Sequence, residues 1–229
     1  MTKKKLTAFT YVYKVVLAMT LLTLLWTGLA GAVTLFDNTT FGRYNSSLGT
    51  VLDCGSACGN LFPLVNNTSG DPTITGTAEP NLSAAAAILG SLLGNPPTFN
   101  TNWSSGPVAI PSTWAINTET AIVYIIDAGA GVTNVSASLG VDNGIYVWLD
   151  GVFQFGALAP GGASAGEYNV NLGDLSGTHF LQILREDHGG FTDYDISVTG
   201  DARPVPEPST LLLLGAGLFG LPSVLHWRK

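Results

Sequence analysis

The chain has 229 residues, with sixteen acids against nine lysines and arginines and a net charge of −7. Hydrophobic residues make up 46% of it and charged residues only 11%, which excludes a disordered chain and allows one domain of ordinary size plus targeting segments. Between Val33 and Glu207 three arginines face all sixteen acids; such a surface repels phosphate backbones and argues against nucleic acid as a partner.

The first element is a secretory signal over residues 1–32. Lys3, Lys4 and Lys5 form its basic end, Val15 to Leu25 its apolar run, and Ala30-Gly31-Ala32 a small-x-small cleavage site. Cleavage is expected after Ala32, with residues 33–203 as the exported domain. Export changes the reading of Cys54 and Cys58, the two cysteines of the chain, which sit in a glycine-rich Cys-x-x-x-Cys stretch. With no further Cys or His nearby to complete a zinc site, an oxidising compartment predicts a local disulfide that staples a loop.

The segment from Val33 to Pro111 is the looser part. Asn81 is placed to cap a helix whose apolar stripe is Leu82, Ala85, Ala86, Leu89 and Leu93, stopped by Gly94-Asn95-Pro96-Pro97. From Thr113 onward, short β-rich runs alternate with turn residues: TWAIN, AIVYIID, VTNVSASL, GIYVWLD, VFQFG, EYNVNL, THFLQILRE and DYDISVT. Ile145, Val147 and Leu149 alternate with Tyr146 and Trp148, and Asp150-Gly151 offers a tight hairpin to the next run. The pattern predicts a mainly β chain: an antiparallel, jelly-roll-like β-sandwich with one short helix, flanked by a signal helix and a C-terminal transmembrane helix.

Residues with catalytic chemistry are sparse. No nucleophile elbow, His-Glu-x-x-His helix or phosphate-binding glycine loop is present. Glu186, Asp187 and His188 stand together, but with Gly189 and Gly190 they form a turn between two strands. The chain is not expected to be an enzyme, and no catalytic residue is assigned. Asp142 and Asn143 are candidate calcium ligands, since both present oxygens to a hard cation. Tyr146 and Trp148 share one strand face and are candidates for stacking on sugar rings.

The stretch Asp142-Asn143-Gly144, strand, Asp150-Gly151, with Leu175 to Leu181 and Glu186 to Gly190 after it, resembles the protective-antigen-like carbohydrate-binding sandwiches. That resemblance implies Ca²⁺ at the first turn, bridging to sugar hydroxyls. Asn143 stands where the calcium-dependent members have a second acid, which predicts weaker ion binding. No other cofactor is implied.

The last element runs from 204 to 229. Pro206-Glu207-Pro208 is followed by an apolar stretch rich in small residues and then by Arg228-Lys229. The apolar part, 210–227, is a marginal membrane span, and the basic end orients it with the acidic domain outside. This order resembles the PEP-CTERM sorting signal of Gram-negative bacteria. The resemblance implies an exosortase and the secretion machinery as partners, a transient inner-membrane anchor, cleavage near Pro206, Glu207 and Pro208, and delivery to the cell surface or outside it. The role expected is structural or adhesive, within a surface layer or an exopolysaccharide matrix. The alternatives are a calcium-assisted carbohydrate-binding module and a secreted hydrolase.

Overall fold

Alternating side chains explain most of the strands seen in the computed structural model, which describes residues 31–52, 74–158, 162–187 and 190–203. Among the described residues there are eleven strands: β1 (Ala32–Asp37), β2 (Phe41–Gly49), β3 (Ile74–Thr75), β4 (Val108–Ala109), β5 (Glu119–Asp127), β6 (Val132–Asp142), β7 (Gly144–Leu149), β8 (Val152–Leu158), β9 (Tyr168–Leu175), β10 (Thr178–Glu186) and β11 (Asp193–Ala202). They form two sheets, ordered β1-β11-β6-β9 and β3-β8-β7-β10-β5-β2-β4. Every described pairing is antiparallel. This is the expected sandwich.

Burial follows the two-residue period in β9 and β11, whereas β7 is buried along its whole length. Ile145, Val147, Leu181 and Ile183 of the larger sheet meet Val135, Ala137, Leu139, Ile196 and Val198 of the smaller one. Each such fully buried side chain contributes about 1.5–3 kcal/mol relative to exposure. Much of the opposite face of the larger sheet is also buried. There Tyr146, Trp148, Val123 and Leu184 pack under Leu48, Leu52, Leu89, Leu92 and Trp103. The molecule therefore has a third, mostly irregular layer, of which the sequence pattern reveals only a short helix.

That helix is shorter than expected. A 3-10 turn, Ser83–Ala85, leads into one helical turn, Ala86–Leu89. Asn81 does act at its start, its Oδ1 accepting from Ser83 N at 3.0 Å. Gly90, at φ 62°, ends it well before Gly94, and Trp103 Nε1 donates to the freed Leu89 carbonyl at 3.0 Å. The chain then doubles back through a Ser91–Thr98 bridge. Leu92 is buried by that return rather than by a continuing helix.

Two other expectations change. TWAIN is a turn, not a strand, because neighbours absorb its backbone groups: Trp114 N donates to Thr192 Oγ1 at 2.9 Å and Asn117 N to Asp187 Oδ2 at 2.6 Å. Strand β2 was hidden in the looser region, because its inward residue Asn45 is polar. Asn45 is fully buried, with its Nδ2 donating to Ile88 O and its Oδ1 accepting from Ser47 N.

The turns set the ends of the sandwich. Asp150 (φ 52°) and Gly151 (φ 77°) are both left-handed, as a two-residue hairpin with the strands' own twist requires. The short link Ala128–Gly131 carries the chain from β5 to β6, and it is tied to the β9–β10 turn by Ala128 N to Gly177 O (2.8 Å) and Gly177 N to Gly129 O (2.9 Å). Ala202 pairs with Val132, and Ala32 pairs with Asp201. The first and last strands therefore enter and leave the fold at this same end.

Residues 31–202 form one compact unit. Residues 1–30 of the signal segment expected over 1–32, Cys54 and Cys58, His188, and the 204–229 tail with its proposed span lie outside the described residues, while Ala32 is the first residue of β1. Among the described residues, no helix is long and apolar enough to cross a membrane.

Candidate functional site

The end of the sandwich away from the chain's entry and exit gathers most of the singled-out residues. Asp193 is paired with Asp142, and Asn143 N donates to Glu186 O at 2.9 Å. Glu186 in turn lies directly opposite both Gly144 and Glu119. Asp142 and Asn143 are 4% and 2% exposed, so the pair sits inside the strand junction and not on an open rim. Glu119, 1% exposed, accepts from Leu52 N at 3.0 Å. Asp187 accepts from Asn117 N. Glu119 and Asp187 thus hold backbone in place. Among the described residues, no group of three or more His, Cys, Asp or Glu side chains is arranged to hold a metal ion.

Tyr146 and Trp148 do not present faces to solvent. They are 3% and 0% exposed, with ring centroids 6.1 Å apart, and Phe153 lies 5.8 Å from Trp148. Trp148 Nε1 donates to Glu79 Oε1 at 2.8 Å. The irregular third layer covers the face on which sugar stacking was expected, so in this structure both rings serve packing.

The feature that sequence reading missed is Arg185. It is fully buried, and its guanidinium carbon lies 4.1 Å from the Trp114 ring centroid, 4.7 Å from Tyr194 and 5.7 Å from Tyr44. Its Nε donates to Thr120 Oγ1 at 2.8 Å. An aromatic cage holds a desolvated guanidinium by its π faces and is worth about 2 kcal/mol or more per strong contact. Burial lowers the Arg185 pKa, opposed by its tyrosine neighbours. Burial also pushes Tyr124 up to about 12 and Tyr194 well above its ordinary value. The signal was available: Leu181, Ile183 and Arg185 share one strand face, and an arginine in that row has to be buried or to leave the strand.

At the other end, His179 Nδ1 lies 2.6 Å from Asp150 Oδ2, and its Nε2 lies 3.0 Å from Ser176 O. Both ring nitrogens are committed to the hairpin and turn around them. The arrangement is a staple.

What the fold and these clusters define is a β-sandwich in which Tyr146, Trp148, Arg185 and His179 are engaged by neighbouring strands and turns. The segment beyond the last strand defines its traffic. Residues 204–229 match the family model of the PEP-CTERM protein-sorting motif, and Pro206, Glu207 and Pro208 stand at the start of that match. The chain carries an exosortase recognition signal and is a protein exported and processed at the membrane, bound for the cell surface. No curated protein matches the chain. Among solved structures it is similar to one described as the crystal structure of Agl-KA catalytic domain, at 11% identity and a TM-score of 0.25. That alignment covers 77% of this chain and 29% of the other, so the chain spans less than a third of that structure's length.

Proposed function

We propose that the protein is a structural or adhesive component of the cell surface or exopolysaccharide matrix, delivered through its sorting tail and acting without catalysis. The observation that carries this reading is the junction at Ala202. The last strand of the sandwich ends there, and the sorting match begins at residue 204. The buried state of Asp142, Asn143, Tyr146 and Trp148 supports a packing role for them over a calcium-assisted sugar site. A secreted hydrolase gains no support from His179, whose two nitrogens are occupied.

The test is genetic and biochemical together. Deleting residues 204–229 is expected to strand the domain in the periplasm and to weaken cell cohesion or matrix retention to the level of a full deletion. Wild-type cohesion in the full deletion would remove the structural role. Surface delivery without the tail would remove the sorting reading.

A further inference from the structure

The third layer stops short of one row of the larger sheet. In register, Phe180 lies opposite Ile125 and Phe41 opposite Ala109. Continuing the Arg43–Val123 pairing by two residues places Phe41 beside Ile125. Ala109, Phe41, Ile125 and Phe180 thus form one stripe across β4, β2, β5 and β10, because directly opposed residues share a face. Phe41 is 61% exposed and Ile125 55%, while Phe180 is half-buried against the covered cluster.

The stripe lies toward the end where the chain enters and leaves. Ile125 is two residues from the end of β5, which the Ala128–Gly131 link joins to Val132, the partner of Ala202. Leu52 and Ile74, the described residues on either side of 53–73, belong to the other end: Leu52 is bonded to Glu119, and Ile74 pairs with Leu158, which is also opposite Gly144.

We propose that this stripe rests on the lipid surface of the membrane while the sorting tail still anchors the precursor; the proposal depends on the sorting reading above. Seven residues, 203–209, separate the last strand from the apolar part of the tail at 210–227. They span at most about 25 Å at roughly 3.6 Å each, so this is the end of the domain that the tail tethers near the bilayer. Two exposed side chains and a half-buried one offer a few hundred Å², on the order of 150–250 Å² per aromatic. That is well under the roughly 800 Å² per partner of a stable protein interface, which disfavours a second copy. Tethering removes the need for intrinsic affinity, because a linked patch meets its surface at high effective concentration. Asp127 and Thr178, the next pair outward, are exposed and polar, so contact stays shallow and suits zwitterionic lipid.

The full chain, inserted by its tail into phosphatidylcholine–phosphatidylethanolamine vesicles, is to carry a photoreactive benzoyl-phenylalanine in place of Phe41, Ile125 or Phe191. Phe191 is 61% exposed but lies at the opposite end. Illumination is expected to add lipid mass at positions 41 and 125 and none at 191, with circular dichroism unchanged. Adducts between two copies, or no lipid adduct at 41 and 125 in chains that float with vesicles, overturn the proposal and leave the sorting reading intact. Failure of the chain to float overturns the tail as an anchor, and the proposal with it.

Discussion

His179 Nδ1 and Asp150 Oδ2 lie 2.6 Å apart, and Asp150 Oδ1 accepts from Phe180 N at 2.9 Å. One carboxylate therefore fastens the β7–β8 hairpin to the start of strand β10, from a residue at φ 52°. Asp150→Ala loses both bonds and places alanine in a left-handed conformation. A loss of about 2–4 kcal/mol is expected from the charged hydrogen bonds and the backbone strain. His179→Ala, which leaves the Phe180 bond and the backbone alone, is expected to cost about half as much. Urea unfolding of both variants checks the order; equal losses would contradict it.

Arg185 offers a sharper contrast. Arg185→Ala empties a large buried site and is expected to cost about 3–5 kcal/mol, as large-to-small core changes do. Arg185→Met keeps much of the volume, removes a desolvated charge and is expected to be clearly milder. The denaturation midpoints decide this, and a Met variant as unstable as the Ala variant would show that the cage depends on the cation itself.

Alkaline pH is expected to unfold the domain. Tyr124, and Tyr168 at the rim of the same core, have pKa values raised from 10 to about 12, in both cases chiefly by burial. A raised folded-state value means the unfolded chain releases these protons first. The stabilisation is complete below pH 10 and is lost as pH rises from about 10 to about 12. Phenolate absorbance is expected to show a late-titrating fraction that moves to ordinary values in denaturant. Identical curves in the two conditions would contradict the buried phenols.

Calcium is expected to leave the melting temperature unchanged. Asp142 and Asn143 are buried in the strand junction, and a Ca²⁺ site takes six or more oxygens. A rise in melting temperature with Ca²⁺ that Asp142→Ala abolishes would restore the calcium-assisted reading.

Much of this fold was legible because its strands from β5 to β11 announce themselves by alternation or turn chemistry. The Asp150-Gly151 hairpin is the clearest case, since its two left-handed residues are of types that tolerate that conformation. Strand β2 was not legible, because Asn45 fills an inward position and its fitness depends on the Ile88 carbonyl, far along the chain. The exposure of Tyr146 and Trp148 was not legible for a related reason. Both faces of β7 are apolar, and only the folded third layer shows that the second face is covered as well. Arg185 lay in plain view within an apolar run, but its partners Trp114 and Tyr194 come from distant segments. The sorting tail was the most legible part, since its signal is local order in sequence and needs no tertiary context.

The central claim is that the sorting tail is recognised and cut. Intact-mass measurement of the protein released from the cell surface tests it most directly. A C-terminus between Pro206 and Ser209 is expected, with the apolar stretch and Arg228-Lys229 gone. A surface-released chain that still ends at Lys229 would contradict the account.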